Sequence, residues 1–333
     1  MKKAVLASAV VSALMSGLVG AAEVYNSDGT SLEVGGRMEF RGDFGGKSSG
    51  EKMDGSMDNQ SRARLSIKGK TKINDSLAGF GKWEVEHSAK KASGKEETFK
   101  QRYMFAGLET DFGAVSFGRQ DTAGVIISQM SDNGQIYTGA QKEFITSGNE
   151  QINNTVKYSG NFADALTIEA SAIAGQESNS NGYGIAARYD LPFGLGLGLG
   201  YSQNSAGKNS NGDQKQTIAG LTYAIAGLEL GGTYTQGDLD TANGTEFKGT
   251  EVSANYKIGG GFSVMGAYQN TEQEQAASAE KKKTDFYELT GQYKFNSNLR
   301  SYLAFKLNNL KKGDNALAYD AEDSMRLGLR YDF

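Results

Sequence analysis

In four consecutive segments of the chain, charged residues recur at every second position. These segments are residues 32–43, 60–72, 77–87 and 99–110. Successive side chains of an extended strand point to opposite faces, so each segment should have a charged face and a less polar face. The charged faces carry Glu33, Arg37, Glu39, Arg41, Asp43, Arg62, Arg64, Lys68, Lys70, Lys82, Glu84, Glu86, Lys100 and Arg102. If the four strands are neighbours, they form a basic wall patched with carboxylates that could steer small ions. The alternative is a set of ordinary polar residues facing water, with no special field.

Groups suited to covalent or metal chemistry are sparse. His87 is the only histidine and there is no cysteine, which argues against a histidine-dependent catalytic triad and a histidine-based metal site. In residues 195–200 leucine and glycine alternate at the period of a strand, which favours close packing over a phosphate-binding loop. The leucines would then face lipid or a neighbouring subunit. We therefore predict no enzyme activity, no cofactor and no metal site.

The elements that would position the charged faces are strands that recur along the whole chain. Sixteen are predicted, at 32–43, 60–72, 77–87, 99–110, 113–120, 150–159, 165–175, 183–191, 194–203, 214–224, 227–236, 250–258, 261–270, 284–294, 299–309 and 323–333. Their connections alternate between seven tight turns and eight longer polar loops, as expected when short turns lie on one side of a membrane and long loops on the other. The predicted fold class is all-β, a 16-stranded antiparallel transmembrane β-barrel.

Composition and the last strand both favour a barrel in a membrane. The chain has 45 glycines, 16 tyrosines, 16 phenylalanines and one proline, which suits closely spaced strands that need every backbone N–H donor. The last strand puts Met325, Leu327, Leu329, Tyr331 and Phe333 on one face and Arg326, Arg330 and Asp332 on the other. A soluble β-sandwich would also alternate, but it seldom has so many strands with aromatic residues at their ends. Side chains cannot fill a barrel of this size, so water should occupy the bore.

The start of the chain has the features of an export signal. Two lysines precede an apolar stretch, and small residues follow it. This order predicts a signal peptide at residues 1–21, cleaved after Ala21 or Ala22, and a barrel domain at 22–333. The alternative is a membrane anchor. Without the two lysines, 33 of the 35 basic residues remain against 39 acidic ones, a net charge near −6 that argues against nucleic acid as a partner.

One connection is far longer than the others. Residues 121–149 contain an apolar run, an acid in mid-loop at Asp132, an aromatic residue and scattered glycines. Loops of more than about 12 to 15 residues are usually functional or disordered, and this one is too apolar to extend into water. We expect it to fold into the barrel and narrow it.

Four stretches of the sequence carry a family resemblance that covers essentially the whole chain. They are AEVYNSDGTSLEVGGR, ARLSIKGKTKINDSLAGFGKWE, QRYMFAGLETDFGAVSFGRQ and the ending GLRYDF. In this order they resemble the general diffusion porins of Gram-negative outer membranes, the OmpF/OmpC type and especially its OmpU/OmpL-like members. The resemblance implies a homotrimer of separate pores and a last aromatic residue, Phe333, that is read by the outer-membrane assembly machinery.

The resemblance also implies a constriction at which the third loop faces a ladder of basic residues. The matching positions are Arg37, Arg64, Glu84, Arg102, Arg119 and Asp132. Two departures from the family pattern should weaken the electric field there. Ile136 stands where a second loop acid would be, with Glu143 left open as its replacement, and the sixth strand lacks a ladder arginine.

We therefore expect a passive, water-filled channel for small hydrophilic solutes and ions in the outer membrane of a Gram-negative bacterium. Its expected ion preference is modest and for cations, because Asp132, Glu84 and the other inward acids should offset the arginines. Outer-membrane lipid and lipopolysaccharide are the expected surroundings. The alternatives are a substrate-specific channel, a barrel enzyme, and an adhesin or anchor. Stepwise, ohmic openings in a planar bilayer would separate a channel from an enzyme or an anchor.

Overall fold

The computed structural model describes residues 21–89, 99–134, 136–208, 210–275, 278–311 and 321–333. Residues 1–20 lie outside these ranges, so the signal peptide and its cleavage after Ala21 or Ala22 stay predictions. In the described ranges, no helix is long and apolar enough to cross a membrane.

The same ranges contain eighteen β-strands. They are β1 (Ala22–Ser27), β2 (Thr30–Gly45), β3 (Asp58–Asn59), β4 (Arg62–Asn74), β5 (Leu77–Ser88), β6 (Lys100–Thr110), β7 (Gly113–Gln120), β8 (Ile152–Phe162), β9 (Leu166–Ile173), β10 (Gly182–Asp190), β11 (Leu195–Ser205), β12 (Asp213–Ile225), β13 (Leu228–Asp240), β14 (Thr245–Gly259), β15 (Phe262–Gln275), β16 (Ser278–Lys294), β17 (Leu299–Asn308) and β18 (Ser324–Asp332). Each long strand pairs antiparallel with the next long strand in the chain, and β18 pairs back with β2. The sixteen long strands β2 and β4–β18 thus close into a barrel, which confirms the predicted fold class.

The strand predictions differ from the structure at a few places. The short strands β1 and β3 are absent from the predicted set, since neither has a clear alternation of polar and apolar residues. The expected loops at 237–249 and 271–283 are largely strand: β13 and β14 leave only a short tip between Asp240 and Thr245, and β15 and β16 extend in the same way. The extensions of β15 and β16 are polar on both faces, and those of β13 and β14 contain only Leu239 and Phe247 as large apolar residues, so the period of two that reveals a half-buried strand is weak or missing.

β1 and β18 lie end to end along one edge of β2. β18 pairs with residues 37–45 and β1 with residues 30–34. Between them, the N–H of Gly36 donates to the carbonyl oxygen of Phe333 at 2.8 Å, and the N–H of Phe333 donates back at 3.1 Å. The barrel wall is therefore continuous at this seam.

The two faces of the wall differ as the alternation predicts. On β18, Leu327, Leu329 and Tyr331 are 44–48% exposed, whereas Arg326 is 3% exposed and Asp332 fully buried. An apolar outer face and a polar inner face are the pattern of a barrel surrounded by lipid.

The segment between β7 and β8, residues 121–151, packs against the inner face; we call it the inner loop. It contains the helix α1 (Val125–Ser128) and two short 3-10 helices, Ala140–Lys142 and Thr146–Gly148. Ile127 and Met130 of the loop are buried against β11, where a Cβ added at Gly198 would lie only 2.8 Å from Ile127 Cδ1. The glycines of residues 195–200 therefore allow close packing, as predicted, and the inner loop is fitted to the wall rather than free in the bore.

Candidate functional site

Inward charged side chains line up across five neighbouring strands. One row consists of Arg62, Glu39, Arg330, Arg300 and Lys294, which are direct cross-strand partners on β4, β2, β18, β17 and β16. Directly opposite residues of antiparallel strands share a face, with Cα atoms about 4.5–5.5 Å apart. We call this set the lysine row. Because barrel strands are tilted by about 35–45°, a row perpendicular to them climbs along the bore.

A second row lies next to it along the strands and ends at a buried acid. It consists of Glu86, Arg64, Arg37 and Asp332, and we call it the aspartate row. The Asp332 carboxylate lies 2.7 Å from Arg330, 3.0 Å from Arg300 and 3.8 Å from Arg37. One carboxylate thus serves three guanidinium groups, which leaves the two rows with excess positive charge.

Four of the predicted constriction residues lie in the aspartate row or next to it. Arg64 donates from Nε to Glu86, and Arg102 donates from Nε to Glu84 at 2.6 Å. Arg37 is the direct cross-strand neighbour of Arg64. The basic wall patched with carboxylates therefore exists, and its acids neutralise Arg64 and Arg102 more fully than they neutralise the lysine row.

Arg119 does not belong to this wall, and its predicted place in the ladder is wrong. It lies directly opposite Met104 and shares a face with Phe117, and both of these are more than half exposed on the outer surface. Its guanidinium bonds to the carbonyl oxygen of Gln101 and to the side chain of Asn153. A strand period of two sends Arg119 outward, because its neighbour Gln120 is inward and buried.

Asp132 lies on the inner loop with a basic residue from the same loop beside it. The Lys142 ammonium is 3.8 Å from Asp132 and 2.8 Å from Glu150. Burial raises the pKa of the Asp132 carboxyl above its ordinary range, despite the nearby lysine. Burial alone would lower the pKa of Lys142, but the carboxylates of Glu150 and Asp132 outweigh it and raise that pKa. The loop acid is therefore partly neutralised at its own position.

Two acids of the barrel wall hold the inner loop through its backbone. Glu251 accepts hydrogen bonds from the Ser131 hydroxyl and the Gly139 N–H, both at 2.8 Å. Glu288 accepts the N–H groups of Ile136 and Tyr137, also at 2.8 Å. At Ile136 the loop thus contributes backbone donors to a wall carboxylate instead of a carboxylate of its own.

A cavity of about 320 Å³ lies between the inner loop and the two rows. Its wall side includes Arg37, Arg41, Arg62, Arg300, Arg330 and Lys294, with the single acid Glu39. Its loop side is formed by Asn133, Gly134 and Ile136. Glu143 is exposed and does not line this cavity. The arrangement is suited to attracting and orienting small charged solutes.

Comparison with known proteins assigns the family. Residues 7–313 match the model of the Gram-negative porin. The chain belongs to the Gram-negative porin family. It is 30% identical over 347 residues to porin-like protein L of Photobacterium profundum, and 30% identical over 361 residues to outer membrane protein U of Vibrio parahaemolyticus, with both chains covered completely in each case.

Solved porin structures support the fold. The structure of Salmonella typhi OmpF in complex with daunomycin gives a TM-score of 0.82 at 21% identity, covering 94% of this chain and all of the other. An anion-selective porin from Comamonas acidovorans gives 0.74 at 17% identity, covering 91% of this chain and all of the other. As a member of the Gram-negative porin family, this protein is an outer-membrane channel for passive diffusion of small hydrophilic solutes and ions.

Several residues of the site are absent from the predicted set. Alternation within β14, β16 and β17 places Glu251, Glu288 and Arg300 inward, so the pattern could have identified them. The same alternation within β16 places Lys294 inward, but its position beside Arg300 follows only once the strand register is known. Lys142 ends a single turn of 3-10 helix within the inner loop, where no strand period indicates its direction.

Proposed function

We propose that solutes and ions cross this porin through the cavity between the inner loop and the two charged rows. The observation that carries the proposal is the composition of the cavity, which is lined by barrel-wall arginines on one side and by loop residues on the other. Within the proposal, Arg37, Arg64, Glu84, Arg102 and Asp132 shape the field along the path, and Arg119 does not.

A recording in a planar bilayer tests this proposal directly. Purified protein should give stepwise, ohmic openings whose conductance rises with salt concentration, since the path is wet and passive. A protein that folds and inserts but gives no stepwise openings would contradict the channel function.

The same proposal includes the assembly and the processing of the chain. Residues 1–21 act as the export signal, residues 22–333 form the barrel, and three copies assemble in outer-membrane lipid and lipopolysaccharide. One relative of this fold, OmpT of Vibrio cholerae, is described in a trimer form. Native mass spectrometry of the exported protein tests both points through the mass of the assembly and of its subunit.

Charge substitutions near the path should shift the ion preference in opposite directions. We expect Asp132→Asn to move the reversal potential in a salt gradient toward anions, and Arg64→Ser to move it toward cations. A unit charge about 8 Å from an ion in water is worth about 0.5 kcal/mol, or roughly a twofold change in permeability ratio. The partial neutralisation of Asp132 by Lys142 makes its shift the smaller one.

Lowering the pH should move the reversal potential in the same direction as Asp132→Asn. Because burial raises the pKa of Asp132, this carboxyl takes up its proton at a higher pH than an ordinary aspartate as the pH falls. Its attraction for cations is therefore lost earlier, and Asp132→Asn should show a smaller pH-dependent shift. Asp75→Asn, in an exposed turn, is the matched control and should leave the reversal potential unchanged. If Asp132→Asn and Arg64→Ser both gave the reversal potential of the parent and of Asp75→Asn, neither Asp132 nor Arg64 would border the ion path.

A further inference from the structure

The lysine row contains like charges that face one another across strands. Arg330 is directly opposite Arg300, and Arg300 is directly opposite Lys294. Like charges in this position repel and destabilise the pair. Asp332 lies within 4 Å of Arg300 and Arg330, but it also serves Arg37. Among the described residues, no carboxylate lies within 4 Å of Lys294 or Arg41.

The opposite side of the cavity does not supply the missing negative charge. Asn133, Gly134 and Ile136 form that side, and none of them is acidic. Asp132 lies beside Lys142, and Glu251 and Glu288, which accept hydrogen bonds from the inner loop, do not line the cavity. The cavity is therefore basic on one side and uncharged on the other, although the whole chain is acidic.

Two buried nitrogen donors at the cavity lack a hydrogen bond. Nε of Arg37 and Nε of Arg41 make no hydrogen bond with the described residues, and Arg37 is only 7% exposed. Buried polar groups are nearly always hydrogen-bonded, and a charged donor without a partner is costly. Both arginines line the cavity, and guanidinium groups match the geometry of phosphate and carboxylate oxygens.

We propose that the cavity binds small dianions with charged oxygens, of which inorganic phosphate is the simplest. The proposal deepens the proposed function by naming a preferred solute class, and it reverses the modest cation preference expected from the sequence. A dianion with several oxygens can contact the like-charged neighbours Arg300, Arg330 and Lys294 at the same time. A chloride ion bridges them less effectively, because it is a single atom with one charge. Binding is weak enough to permit release, because the basic residues form a row rather than a closed cage.

Phosphate binding is first measured by nuclear magnetic resonance in detergent, independently of channel conductance. The phosphorus-31 line width of inorganic phosphate at about pH 8 should increase with added detergent-solubilised porin and saturate, at constant ionic strength in KCl. The double variant Arg300→Gln/Lys294→Gln should weaken binding by roughly tenfold, since each charge-assisted contact is worth more than a neutral one. Lys294→Gln alone breaks no ion pair, so its partial loss of affinity tests the site even if the double variant folds poorly.

The control variant separates a built site from diffuse attraction. Lys257→Gln removes an exposed lysine of β14 that is already 2.6 Å from Glu229, and it should leave phosphate binding unchanged. Equal weakening in Lys257→Gln and Lys294→Gln, or no saturation with the parent protein, would overturn the dianion site. Saturable binding without stepwise openings in a bilayer would support the site and contradict the channel proposal, so the two can fail separately.

Discussion

Deleting residues 128–139 should at least double the single-channel conductance and admit larger sugars. A sixteen-stranded barrel has a bore that side chains do not fill, so the inner loop is the main obstacle in it. The deleted stretch includes Met130, which packs on the glycines of the wall, and Asn133 and Gly134, which face the charged rows. The expected increase is roughly twofold or more, because the cavity becomes continuous with the remaining bore.

The cut ends of this deletion can be joined without moving the wall. Cα atoms of α1 and of the 3-10 helix Ala140–Lys142 come within 8 Å of each other, so two or three glycines in place of the deleted stretch would connect the ends. The second part of the loop keeps its own anchors, since Ser147 still donates to Asn204 and Gln216 to the carbonyl oxygen of Gln141. The barrel should therefore fold with its remaining loop in place.

The deletion should also change the ion preference. Glu251 and Glu288 lose the hydroxyl and backbone donors that now cover them, and they become open carboxylates on the inner face. The reversal potential should then move toward cations as the conductance rises. A control variant in which Asn-Gly replaces residues 241–244 shortens an external hairpin tip and should alter neither quantity. A folded deletion protein with the parent's conductance and sugar exclusion would show that the loop does not obstruct the path.

Strand positions were predictable because a half-buried strand has a simple period. β7 occupies 113–120 as predicted, and β5 and β17 differ from their predicted ranges by one residue at one end. The period also sends Arg37, Arg64 and Glu84 inward. The extended tips of β14 and β16 escaped prediction, because strands that project beyond an apolar layer lose the contrast between their faces.

The error at Arg119 shows the limit of resemblance. The resemblance assigned Arg119 to the ladder because an arginine stands at that position of the family segment. The alternation of Phe117 outward and Gln120 inward instead indicates that Arg119 faces outward. The alternation of side chains along a strand is a local physical constraint. It is a better guide to the direction of a side chain than similarity at a single position. Arg102 is the opposite case: a register shift between β5 and β6 lets both Arg102 and Tyr103 reach the charged wall.

The charged rows could not be predicted, because they depend on register between distant segments. The lysine row joins Glu39 and Arg62 near the start of the chain to Lys294, Arg300 and Arg330 near its end. A shift of one residue in any pairing would separate these neighbours and turn one strand inside out. The excess positive charge of the cavity is therefore a property of the closed barrel, and net charge gave the opposite sign.

Truncating the chain after Asp332 should lower the yield of folded barrel in the outer membrane by roughly tenfold while leaving export unchanged. Phe333 exchanges two backbone hydrogen bonds with Gly36, at 2.8 and 3.1 Å. Each bond contributes about 0.5–1.5 kcal/mol net, so losing both lowers the equilibrium constant for closing the seam by about one order of magnitude. These two bonds bridge the gap between β1 and β18 on the edge of β2, and no other pair is made at Gly36 on that edge.

The ring of Phe333 adds a second contribution that a point substitution separates from the first. It lies against Gly36, where any Cβ would collide with it, and it stacks on Tyr331 with ring centroids 6.1 Å apart. Phe333→Ala keeps the backbone pair and loses only the ring, so its yield should fall between those of the parent and the truncated chain. Folded protein is measured by its migration before and after heating in detergent gels, and export by total protein beyond the inner membrane. If recognition of the aromatic ring alone controls assembly, Phe333→Ala will assemble as poorly as the truncation; if the seam contributes, it will assemble better. Parent-like yields from both variants would contradict any role for Phe333 in closing the barrel.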